Sequence, residues 1–276
     1  CHARVAGLPR CRPCPRSDLV TLDVHDLTVT IDGRRVVDGV SLRLADGARL
    51  GLIGESGSGK SMTTLAVLGL LPPRAVVTGS IRLDGRELVG LTDRQMAPLR
   101  GATIAAVFQD PRTALDPVMT IGRQVAEPLR LHGRISRTEA RRRAVEALAE
   151  VGLDEQVADA WPHQLSGGQR QRAVIATALI ADPAVLLADE PTTALDVTTQ
   201  AEVLALFRRL VDERGASLLF VTHDLAVLAQ VAEEAAVLSR GRVVESGPVA
   251  RLLGSPVHPV TRGLVEATRA TTWRTP

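Results

Sequence analysis

Apolar and polar residues alternate along the first ordered part of this chain. Leu22 to Ile31 alternates enough to read as a strand, and Asp32-Gly33 closes it with a turn. Val40, Leu42 and Leu44 alternate with Ser41 and Arg43, which predicts a second strand with one polar face. Ala45-Asp46-Gly47 turns that strand into an apolar run, Ala48 to Ile53, of the kind buried on both faces. The opening therefore predicts a small antiparallel β layer. A helix-like apolar run, Met62 to Leu71, stops at Pro72-Pro73. Short strands are predicted at Gly79 to Gly85 and Ala102 to Phe108.

From Arg112 to Gln164 helix signals dominate. Ser136 and Glu139 have capping-box spacing, and Ala144, Val145, Leu148 and Val151 share one face of the helix they open. Arg137, Arg141, Arg142 and Arg143 read as its solvated face. This block predicts a helical subdomain, about residues 112–181, inserted into an α/β core. Strand patterning returns at Ala184 to Ala188 and at Ala216 to Thr222, with a helix from Val197 to Arg214 between them. Ala235 to Leu238 and Arg242 to Val244 read as a hairpin around Gly241, and Pro256 and Pro259 break the tail.

At 276 residues the chain is long enough for a substantial core. The formal net charge of +2 is too small to argue for a nucleic-acid partner. No apolar run reaches the roughly 18 residues of a membrane span. The first 18 residues are rich in Pro and Arg and read as a disordered tail, with the folded part beginning near Leu19. Cys11 and Cys14 have metal-ligand spacing there, with Cys1 and His2 nearby, but a lone pair of cysteines does not make a metal site.

The candidate chemistry lies between the third strand and the first helix, in Gly54-Glu55-Ser56-Gly57-Ser58-Gly59-Lys60-Ser61. Strand, glycine loop, Lys-Ser and helix form the context of a P-loop. Backbone N–H groups of such a loop cradle phosphate oxygens, and the helix N-terminus adds its dipole. Lys60 then reaches the β- and γ-phosphates, and the Ser61 hydroxyl ligates Mg²⁺. Of the 33 basic residues Lys60 is the sole lysine, and the chain has no Asn or Tyr. A bias toward arginine has spared the one place where a compact ammonium is needed.

Asp189 and Glu190 are expected just past an apolar strand, where α/β sheets bind ligands. Asp189 suits Mg²⁺, and Glu190 suits activation of the attacking water. Gln109 and His223 each follow a buried strand as well. Gln109 there can ligate Mg²⁺ or order the water, and His223 can hydrogen-bond a γ-phosphate. Ser166-Gly167-Gly168-Gln169 opens a further helix with a capping serine and exposed amides. One nucleotide cannot easily use both glycine-rich helix starts, so a second copy of the chain is expected to supply this one in trans.

Together these residues resemble an ATP-binding-cassette ATPase over roughly Leu19 to Gly247. Gly54 to Ser61 is similar to the Walker A loop, Gln109 to the Q-loop, and Leu165 to Gln169 to the LSGGQ signature. Val185 to Glu190 resembles Walker B with the catalytic Glu, Ala194-Leu195-Asp196 the D-loop, and His223 the switch histidine. The segment Phe108 to Pro117, the run Trp161-Pro162-His163-Gln164 and the motif His258-Pro259-Val260-Thr261-Arg262 resemble the dipeptide, oligopeptide and nickel importer branch. The resemblance implies a P-loop α/β nucleotide-binding domain at 19–247 and a branch-specific tail at 248–276. It also implies ATP and Mg²⁺ as ligands, with Asp196 in the nucleotide-binding set. Its implied partners are two transmembrane permease subunits, an extracytoplasmic solute-binding protein and a second ATPase subunit, with the chain on the cytoplasmic face of the membrane. Where the family stacks adenine on an aromatic, this chain has Ile31. The other readings are a soluble cassette ATPase acting on ribosomes or nucleic acid, and a nucleotide switch that does not hydrolyse.

Overall fold

A computed structural model describes residues 20–133, 135–193 and 195–272. The cysteine-bearing N-terminal stretch and Ala194 lie outside the described residues. Three strands open the fold: β1 Val20–Ile31, β2 Arg34–Ala45 and β3 Arg49–Gly54. The helix α1, Lys60–Leu68, begins inside the predicted glycine-lysine motif and ends at Gly69, whose φ of 62° turns the chain before the two prolines. Then come β4 Ala75–Leu83, β5 Arg86–Glu87, α2 Asp93–Met96 and β6 Ile104–Val107. The predicted helical block contains α3 Pro111–Ala114, α4 Ile121–His132, α5 Arg137–Glu150 and α6 Gly167–Leu179. The rest is β7 Val185–Asp189, α7 Val197–Arg214, β8 Ser217–Thr222, α8 Leu225–Val231, β9 Glu234–Ser239, β10 Arg242–Pro248, α9 Val249–Gly254 and α10 Pro259–Thr272.

The strands form two sheets. One has four strands in the order β2-β1-β4-β5 and is antiparallel. The other has six in the order β10-β9-β3-β8-β7-β6, parallel except for β10. Successive residues of the parallel strands feed opposite faces of that sheet. Leu52, Val185, Leu187, Leu219 and Val221 pack toward the antiparallel sheet and α1. Ile53, Leu186, Ala188, Leu218 and Phe220 pack into the core shared with the helices. Their being apolar on both faces is why these strands read as continuous apolar runs.

The cap of α5 and the tail depart from the sequence expectation. Ser136 does cap α5, its hydroxyl accepting from the Glu139 amide at 3.2 Å. The Glu139 carboxylate does not complete the box, because Arg142 and Arg143 hold it and keep its carboxyl at a pKa of about 2. The tail, expected to be broken, carries α9 and α10. Leu252 and Val265 enter the core that α8 also lines, and Pro259 opens α10 instead of ending a helix.

Candidate functional site

The parallel register brings four strand ends level. Ile53 pairs with Thr222, Asp189 with Val221, and Val107 with Ala188. One step further along each strand lie Gly54, His223, Glu190 and Phe108, followed by Gln109. The sheet thus gathers the predicted Lys60 loop, His223, the acidic pair and Gln109 along one edge.

The loop runs from Glu55 to Gly59 and hands over to α1 at Lys60. Gly59 has φ 105°, and a Cβ there would sit 2.6 Å from the Val36 carbonyl, so the conformation and the space both demand glycine. Glu55, Ser56, Gly57 and Ser61 are exposed, whereas Ser58 and Lys60 are buried. The Lys60 ammonium curls back and donates to the carbonyls of Gly54 at 2.7 Å and Glu55 at 2.9 Å. Burial pulls its pKa below the usual lysine range, opposed by the charges of Glu190 and Asp189.

Asp189 is the last residue of β7, not a residue beyond it as the sequence suggested, because it still pairs in register with Val221 of β8. The side chain is only 7% exposed, and its Oδ1 is buried with no hydrogen-bond partner. Burial raises its carboxyl pKa; the Ser61 hydroxyl beside it pulls the other way. Glu190 follows at φ 48°, a conformation that costs a non-glycine residue roughly 1–3 kcal/mol. Its amide still donates to the Val221 carbonyl at 2.9 Å, which ties the turn to the sheet. Its carboxylate lies 3.1 Å from His223 Nδ1 and 3.9 Å from Lys60 Nζ. His223 is about half exposed and precedes Asp224, which caps α8 through the amides of Ala226 and Val227.

The sequence did not single out Thr193. Its hydroxyl donates to Glu190 Oε2 at 3.2 Å, a contact whose only sequence signal is a threonine three residues after the acid. Gln109 is exposed just past β6. The loop after it is pinned by buried Gln124, which exchanges bonds with the backbone of Asp116 and donates to the Met119 carbonyl.

Ser166 to Gln169 form the start of α6 as a complete capping box. The Gln169 amide donates to the Ser166 hydroxyl at 3.2 Å, and Gln169 Oε1 accepts from the Ser166 amide at 2.9 Å. Ser166, Gly167 and Gln169 are exposed and Gly168 is half-buried. Gln164 accepts from the Trp161 amide and Arg170 donates to the Pro162 carbonyl, fixing the approach to this helix start. Among the described residues no hydrogen bond or ion pair joins it to residues 54–61. Asp196 spends both carboxylate oxygens on Thr199 as the N-cap of α7.

The edge can hold an oligophosphate and a cation. The loop amides and the N-terminus of α1 suit phosphate oxygens, and the orphaned Asp189 oxygen beside Ser61 suits a divalent metal.

A family model described as ABC transporter matches residues 37–193. A probable peptide ABC transporter ATP-binding protein of Sinorhizobium fredii is 46% identical over 261 residues, covering 92% of this chain and 78% of that protein. The oligopeptide transport ATP-binding protein OppD of Mycobacterium tuberculosis is 50% identical over 251 residues; the match spans 88% of this chain but 41% of the relative. Among solved structures, a dimeric ATP-binding cassette in a post-hydrolysis state with ADP and Pi superposes with a TM-score of 0.74 at 32% identity, covering 83% of this chain and 98% of the other. The cbiO1 protein of Clostridium perfringens, part of an ABC transporter complex, gives 0.76 at 26% identity over 94% of this chain and 97% of its own.

Proposed function

The chain belongs to the ABC transporter family, and on that premise we propose that it is the ATP-hydrolysing subunit of an importer for peptides or a related small solute. The observation that carries this reading is the common sheet edge, along which Lys60, the Asp189–Glu190 pair, His223 and Gln109 are aligned and where a buried Asp189 carboxylate oxygen lacks a partner. ATP is the substrate. Lys60 exchanges its two carbonyl partners for phosphate oxygens, and the amides of residues 55–60 orient the triphosphate. Glu190 accepts a proton from the attacking water. His223 holds that carboxylate through Nδ1, which leaves its other ring nitrogen for a phosphate oxygen. Asp189, Ser61 and Gln109 would hold Mg²⁺, which when bound neutralises charge developing on the phosphates.

In this reading a second cassette, identical or paralogous, presents Ser166 to Gln169 and the Asp196 loop to the nucleotide, closing the site in trans. The dimeric state of the related cassette supports that arrangement. The names of the relatives support a peptide cargo. The same reading takes two permease subunits and a solute-binding protein as partners and places the chain on the cytoplasmic face of the membrane. An open groove of about 720 Å³ beside the Gln109 loop, lined by Leu70, Phe108, Leu115, Leu131 and Val174, suits a permease segment. Glu190→Gln tests the catalytic assignment. ATP hydrolysis falls at least roughly 100-fold while MgATP still binds; unchanged turnover removes Glu190 from that role. Co-expression with candidate permeases, followed by co-purification from membranes, tests the partners.

A further inference from the structure

We propose that the turn between β9 and β10, locked by the Asp38–Arg242 ion pair, is a positioning element for the phosphate loop, so that Asp38, Gly241 and Arg242 tune nucleotide affinity without touching the nucleotide. This rests on the ATP-binding reading above. Within the loop, the Ser58 amide reaches the Glu55 carbonyl at 3.2 Å. A firmer hold comes from outside. The Gly241 amide donates to the Ser58 carbonyl at 2.9 Å, and the Gly241 carbonyl accepts from the Asp38 amide at 2.8 Å. Three segments remote in sequence, β2, the phosphate loop and the turn, are thereby stacked through the backbone of one residue, Gly241.

The stack has little slack. Gly241 has φ 80°, and a Cβ on it would lie 3.0 Å from the Val36 carbonyl, the same carbonyl that crowds Gly59. Side chains close it on the solvent side. Arg242 places Nε 2.7 Å and Nη2 2.6 Å from Asp38 Oδ2, while Arg35 donates to Oδ1 at 3.0 Å. The Arg242 bond, with Arg35 adding to it, holds the Asp38 carboxyl below the usual range. Asp38 belongs to the antiparallel sheet and Arg242 to the parallel one, so the pair clamps the two sheets at the point where the loop is backed. A glycine-rich loop held in its binding conformation loses less freedom when phosphates arrive, and that saving appears as affinity.

The test uses the full chain, with Asp38→Ala, Arg242→Ala and the double variant titrated with a fluorescent ATP analogue and Mg²⁺, beside thermal melts. Each single variant is expected to raise the nucleotide Kd about two- to fivefold, the range of an exposed ion pair. KM for hydrolysis should follow, with kcat within about twofold of the parent. The double variant should cost no more than either single one, and Arg242→Lys should recover part of the loss. Arg141→Ala removes the exposed Arg141–Asp159 pair in the helical block and should leave Kd unchanged. Single variants that melt earlier yet bind nucleotide like the parent overturn the proposal. If the parent itself fails to bind MgATP, the ATP-binding reading fails instead, and the two failures are distinct.

Discussion

At the scale of single residues, the site is built from charges kept under cover at a cost. Asp189 is buried, and its raised carboxyl pKa means that the folded chain binds this proton more readily than the unfolded chain does. Its contribution to stability is therefore most favourable below the ordinary carboxylate range and is lost as pH rises through the raised value. Burial disfavours the ionised carboxylate, and a bound cation relieves that cost. Asp189→Asn should accordingly raise the melting temperature of the nucleotide-free chain by about 2 °C or more while removing the Mg²⁺-dependent part of its ATP affinity. Differential scanning fluorimetry with and without MgATP reads both. Lys60 makes a parallel case. Its ammonium fits between two carbonyls at 5% exposure, where a planar guanidinium has neither the room nor the matching geometry. Lys60→Arg should weaken nucleotide binding at least roughly tenfold, measured by the same analogue titration.

At the scale of elements, two helices begin on a serine, and their different surroundings separate stability from function. Ser136 caps α5 on the outside of the helical block. Ser136→Ala should cost about 1 kcal/mol in urea unfolding and leave hydrolysis unchanged. Ser166 caps α6 with the reciprocal Gln169 bond, on an exposed helix start that the proposed dimer presents to nucleotide. Ser166→Ala should cost a similar amount of stability. It should also lower hydrolysis while nucleotide binding to the single cassette stays as in the parent. Equal loss of binding and hydrolysis would mean that the helix start acts within its own chain.

At the scale of the whole molecule, the parallel sheet separates two cores and carries chemistry on one edge, and the proposed dimer completes that edge. Glu190→Gln loaded with MgATP should run as a dimer in light scattering, and Lys60→Ala under the same conditions as a monomer. The strand–loop–helix order around Lys60 and the Ser166 cap were legible in the sequence because each is a local signal, a glycine pattern or a capping residue beside an apolar run. The apolar strands were legible too, since a strand covered on both faces must be apolar throughout. The helical tail was not, because α9 is short and both α9 and α10 depend on core contacts with α8 that no local pattern encodes. Nor was the Asp38–Gly241–Ser58 stack, whose members are brought together by sheet register across some two hundred residues. The chain's own order of residues determined which chemistry is available, because phosphate-binding loops and buried strands are written in contiguous runs. Only the tertiary structure decided which groups meet and which carboxylate oxygen is left without a partner, because those depend on how separate strands align and on what covers them.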